Sequence, residues 1–168
     1  MLLLFELFLF AVGYAVTALT YYGNHRFIFH GKPPKWTPRK IKRLHKWYSK
    51  FHMQHHLNAF PNDDGTTKNV EEYLRVPFFA KVLASITLGC ISFLSLSLAA
   101  GILAFFIAYG IRHGTIHGIN VIGFKPLKKD DKYYRHHMSH HTTGNWNKFN
   151  FSGVHPIIDR VFGTYSET

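Results

Sequence analysis

Residues 1–30 read MLLLFELFLFAVGYAVTALTYYGNHRFIFH, and the character of the chain changes sharply within them. From Met1 to Tyr22 the only charged side chain is Glu6. A helix of that length, rising about 1.5 Å per residue, crosses a hydrocarbon layer of about 30 Å. The segment is expected to be a transmembrane helix that stays attached, because no basic leader precedes its apolar core and no small-x-small cleavage site follows it. His25, Arg26 and His30 come directly after it. An apolar span running into histidines is the pattern from which the rest of the chain is read.

A second apolar stretch covers 77–111. As one helix it would be roughly 52 Å long, well beyond a single crossing, so two antiparallel helices with a turn near Ser95 to Ser97 fit it better. Each is slightly short, which calls for local bilayer thinning rather than tilt. Lys81, one turn into the first, can snorkel back to the interface. The expected fold is all-α: a single domain, 1–168, with about three transmembrane helices near 1–22, 77–94 and 97–112. A histidine-rich helical cap made of 31–76 and 113–168 completes it.

Composition agrees with this segregation. Hydrophobic residues make up 46% and aromatics 17%, yet mean hydropathy is only −0.07, so apolar spans must be offset by polar segments. Lys and Arg outnumber Asp and Glu by 20 to 9. These cations fall mostly in 31–76 and after 111, and three spans with the N-terminus outside put both segments in the cytosol, as the positive-inside rule requires. Juxtamembrane cations facing anionic headgroups account for the basic balance, so no nucleic-acid partner is expected. The single cysteine, Cys90, lies in an apolar run; this excludes an intramolecular disulfide and a cysteine-based zinc site, and suits a reducing compartment.

The 13 histidines are clustered. HRFIFH supplies His25 and His30, HMQHH supplies His52, His55 and His56, HGTIH supplies His113 and His117, and HMSHH supplies His137, His140 and His141. Residues three and four apart share a helix face, so each H-x-x-H-H can aim two or three rings at one point, and His113 with His117 can aim two. His25 and His30 would diverge by about 140° on an ideal helix, which places them either on different metals or where the helix unwinds. Two copies of H-x-x-H-H in one chain are far beyond chance. They read as ligand sets for one site just beneath the bilayer, reachable by a lipid from the membrane. All-nitrogen ligation suits iron, zinc, copper or nickel, and ten imidazoles exceed what one ion accepts, so two ions are expected.

At this point HRFIFH, HMQHH followed by Pro61 and Asp63, RHGTIH, YRHHMSHH and the closing PIIDRVFGTY resemble the fatty acid hydroxylase and sterol desaturase superfamily, most closely the ceramide fatty acid 2-hydroxylases, over residues 21–165. Members commonly have four membrane helices, one more than the three apolar spans read here. The resemblance implies a membrane-bound non-haem di-iron monooxygenase with O2 as co-substrate, in which zinc can replace iron in recombinant protein. Carried onto this chain, its ligands are His25, His30, His52, His55, His56, His113, His117, His137, His140 and His141. The implied substrate is the acyl chain of a fatty acid or sphingolipid, with a sterol or carotenoid, and desaturation in place of hydroxylation, as alternatives. Electrons would come from a separate cytochrome b5-like or ferredoxin-like donor.

Asp63, Asp64, Asn150 and Asp159 are candidates to accept the distal N–H of ligating rings, or equally loop and capping residues, with no catalytic role assigned. His45, His136 and His155 fall outside the pattern and are assigned core or outer roles. A histidine-rich metal transporter or sensor is the rival from another class. It would need polar ligands near the bilayer midplane, whereas Glu6 and Lys81 lie near the ends of their spans.

Overall fold

The long apolar run at the N-terminus folds as α1 (Leu2–Gly23) and continues into a π-helical turn over Asn24–Phe29. These features belong to a computed structural model, which describes residues 1–58, 78–142 and 146–167, with only the backbone described at 78–81 and 83. Asp63, Asp64 and the side chain of Lys81 lie outside the described residues. Four further long helices follow: α2 (Arg39–Asn58), α3 (Phe78–Leu94), α4 (Leu96–Ile116) and α5 (Lys132–His141). A short α6 (Pro156–Val161) starts on a proline, whose fixed φ suits a first helical position. Apart from one isolated bridge between Val121 and Phe124, no β-structure occurs among the described residues. The fold is therefore all-α.

The expected turn in the second apolar stretch is a one-residue break. Ser95 leaves helical geometry, at φ −162° and ψ 118°, and its hydroxyl accepts from the Leu98 amide at 3.1 Å, capping α4. Two segments are long and apolar enough to cross a membrane, Leu2–Phe29 with 28 residues and Leu96–Ile116 with 21. Among the described residues of α3, the run Ala84–Leu94 is apolar but shorter. The helix expected near 77–94 has 17 residues, about 26 Å, and is slightly short of a 30 Å layer as its sequence implied.

Parallel packing of α1 on α4 positions the site. Ser97 donates to the Glu6 carboxylate at 2.5 Å, Tyr14 meets Phe105 edge-on at 5.7 Å between centroids, and the Tyr21 hydroxyl donates to that of Tyr109 at 2.8 Å. The two helices run side by side and finish at the same end, where both carry histidines. Their approach depends on small residues: a Cβ added at Gly13 would run into the Leu98 carbonyl, and one at Gly101 into the Phe10 carbonyl. Away from this seam, Leu3, Phe5, Phe8, Val16, Phe93, Leu103 and Phe106 all face outward. An apolar outer surface of that extent is what a lipid-facing bundle presents.

Candidate metal centre

Ten histidines from four helical elements converge at the shared end of α1 and α4. Five of them, His25, His30, His52, His56 and His140, bring one ligand nitrogen each to within 4.8 Å of one another, and so do His55, His117, His137 and His141. Each group draws on at least three elements that are distant in sequence. His113 completes the ten: its ring lies 4.7 Å from His117, 4.8 Å from His137 and 5.0 Å from His55, but outside both sets of mutually close ligand atoms. His56 of the first group stacks on His141 of the second, with centroids 4.2 Å apart. The two groups thus form one centre.

Local backbone chemistry explains how the rings are aimed. In α2 and α5 the i and i+4 spacing gives His52–His56 and His137–His141 pairs, each with Nε2 atoms 3.0 Å apart. His25 and His30 fall in one group, and of the two possibilities it is the departure from α-helical winding that occurs: the His30 amide donates to the His25 carbonyl at 3.2 Å, an i→i+5 bond that brings residues five apart onto one side. Asp131 caps α5 by accepting from the Tyr133 amide at 2.7 Å, which fixes where that helix begins and so the face its histidines present.

Hydrogen bonding reveals which nitrogens face the centre. His25 Nδ1 lies 2.5 Å from the Phe151 carbonyl and His140 Nδ1 lies 2.7 Å from the Phe149 carbonyl. A carbonyl only accepts, so in the neutral rings both protons sit on Nδ1 and both Nε2 atoms are bare lone pairs. Those two Nε2 atoms are 3.1 Å apart. No proton is left to bridge them, and two facing lone pairs at that distance repel unless a cation lies between. Nearby Nε2 atoms repeat the spacing, with His52 at 2.9 Å from His25 and 3.0 Å from His30, and His117 at 3.1 Å from His137. About 3.0 Å is the separation of adjacent nitrogens each bound at about 2.1 Å to one ion at right angles. Both nitrogens of His55 are buried without a hydrogen-bond partner, a costly state that ligation relieves. On the chemistry of its donors the centre fits two metal ions.

Protonation agrees. Burial, then the neighbouring His140, holds His30 down to about 3, and burial holds His140 down to about 4 against the opposing effect of the Phe149 carbonyl. His52, His55, His137 and His141 are lowered well below the ordinary imidazole value, first by burial and then by the neighbouring imidazoles of the centre. Such rings are neutral at pH 7, the form that binds metal.

Asn150 and Asp159 act one step away from the ligands. Asp159 accepts from the Phe151 and Ser152 amides at 2.8 and 3.1 Å, from Thr164 at 2.8 Å and from His136 Nε2 at 3.1 Å. Asn150, in a left-handed conformation at φ 59°, donates to the His136 carbonyl at 3.0 Å and to Ser139 at 2.5 Å. Together they clamp the 149–152 segment, whose carbonyls hold His25 and His140. His136 is part of this clamp, His155 bonds the Tyr14 hydroxyl at 3.0 Å, and His45, about two turns before His52, lines a groove with Ile41 and Tyr48. Sequence reasoning missed Trp146, stacked on His56 at 5.4 Å, Phe29, stacked on His52 at 4.7 Å, and Tyr109, stacked on His113 at 4.9 Å. Aromatic content gave no sign of which rings would wall the site.

Apolar helices that end together on a two-part, all-imidazole centre, together with the family match that follows, support a membrane oxidoreductase of the hydroxylase or desaturase type. The chain belongs to the fatty acid hydroxylase family, whose model matches residues 10–164. No curated protein and no solved structure shows significant similarity to it.

Proposed function

We propose that the protein is an O2-dependent, di-iron lipid hydroxylase that oxidises a C–H bond of an acyl chain, with its centre facing the cytosol. The observation that carries this reading is the convergence of bare Nε2 lone pairs from His25 and His140 inside a ring of further imidazoles. Bound iron would supply O2 activation. The first group would hold one ion and the second, with His113 beside it, the other. The chain's own residues do the rest. The Phe149 and Phe151 carbonyls keep the His140 and His25 rings in one tautomer. Phe29, Trp146 and Tyr109 cover outer faces of the imidazoles and keep water away. Electrons would come from a separate cytochrome b5-like or ferredoxin-like carrier.

Lipids extracted from cells expressing the protein, grown with and without O2 and compared with cells carrying His140→Ala, test this directly. An oxidised lipid that needs both O2 and His140 is expected; the same lipid profile in all cultures would reject an enzyme. The topology has its own check. Parallel α1 and α4 bring the histidines to one membrane face, so cysteines placed at the exposed positions Lys40 and Lys128 should label from the same, cytosolic side. Labelling from opposite faces would break the shared centre.

A further inference from the structure

Behind α5, on the side away from the metal centre, Arg112, Lys132, Arg135 and Arg160 line a cavity of about 650 Å³. Glu167 is the carboxylate among its described lining residues. Helix α5 is the dividing wall, with His137, His140 and His141 turned to the centre and Lys132, Arg135 and His136 to the cavity. Two of the cations are held in place. The Arg112 guanidinium lies 3.9 Å from the Tyr133 ring centroid and donates to the Val154 carbonyl at 3.2 Å, and that of Arg160 lies 4.5 Å from the Tyr165 ring centroid. Stacking on an aromatic face fixes a guanidinium while leaving donors at its edge for a ligand.

Four cations gathered around one hollow repel each other, and a bound anion would relieve that repulsion. His136, in the same wall and 2% exposed, gives its Nε2–H to the Asp159 carboxylate, so recognition of an anion falls to the four cations. Arg112 belongs to the last turns of α4, so the cavity lies where the apolar span gives way to polar chain, at the depth of phosphate headgroups. Arginine forks match the oxygens of a phosphate and bind them in pairs.

We infer that this cavity is a phosphate-binding site, filled by the headgroup of an anionic phospholipid or by free phosphate. Only the lipid source rests on the membrane reading above. The test uses the full chain in phosphatidylcholine nanodiscs, titrated with short-chain phosphatidic acid and with inorganic phosphate as competitor. Saturable binding is expected, and the double variant Lys132→Gln, Arg135→Gln should weaken it by about tenfold or more. Arg43→Gln with Lys50→Gln removes the same charge from exposed positions on α2 and should change it less than about twofold. Inorganic phosphate competing at the same concentration as the lipid would identify a free-ion site, and competition only at far higher concentration a headgroup site; either upholds the inference. Equal losses in the two double variants, or no saturable binding, would overturn it.

Discussion

His52→Ala, His56→Ala, His137→Ala and His141→Ala are each expected to abolish product, while His45→Ala and His155→Ala keep most of it. The four come from the two i, i+4 pairs whose Nε2 atoms meet at 3.0 Å, one pair in each group. Removing any one opens a coordination position and should lower metal affinity by at least about an order of magnitude. His45 lies about two turns before His52 and His155 bonds Tyr14, and neither belongs to either group of converging ligand nitrogens. Product must be measured per folded, membrane-inserted protein, because metal ligation also contributes to folding and an unfolded variant would imitate a catalytic loss. Similar losses in all six variants with normal insertion would refute the division.

Gly101→Leu should leave almost no folded protein in mild detergent. The new side chain would start against the Phe10 carbonyl and the Tyr14 amide, and backbone in α1 cannot move aside as a side-chain tip can. Overpacking usually costs about 1–3 kcal/mol, and the upper end or more applies where two helix backbones must separate. Gly101→Ala should be milder but still harmful. Gly89→Ala is the contrast: nothing lies within 4 Å of its added Cβ, so it should be neutral or stabilise α3 by up to about 1 kcal/mol through helix propensity. Retention of the monodisperse species on size exclusion, followed by thermal unfolding, measures all three. A Gly101→Leu protein as stable as wild type would mean that the α1–α4 seam does not hold the bundle together.

Much of the site was legible because its determinants are local. Hydropathy marks α1 and α4, Ser95 breaks the second apolar stretch inside the expected window, and the H-x-x-H-H spacing selects ring pairs that a helix aims in one direction. What escaped depends on parts of the chain meeting in space. Whether His25 and His30 share an ion turns on a π-helical turn, which five-residue spacing alone does not reveal. The acceptors for His25 and His140 are backbone carbonyls, and every residue has one, so nothing in the sequence singles out Phe149 and Phe151. Asp159 could be a direct partner of a ligating imidazole or a loop-bracing residue on its sequence alone, and it braces the loop whose carbonyls hold the rings. The extent of α3 was legible too: an expected helix near 77–94 is found at Phe78–Leu94.

The account depends on two ions being held by one set of histidines, and metal content tests that most directly. Elemental analysis of the purified, folded protein, counting all transition metals so that zinc standing in for iron is included, should give close to two ions per chain. One ion or none per chain would contradict the two-metal centre from which the proposed chemistry follows.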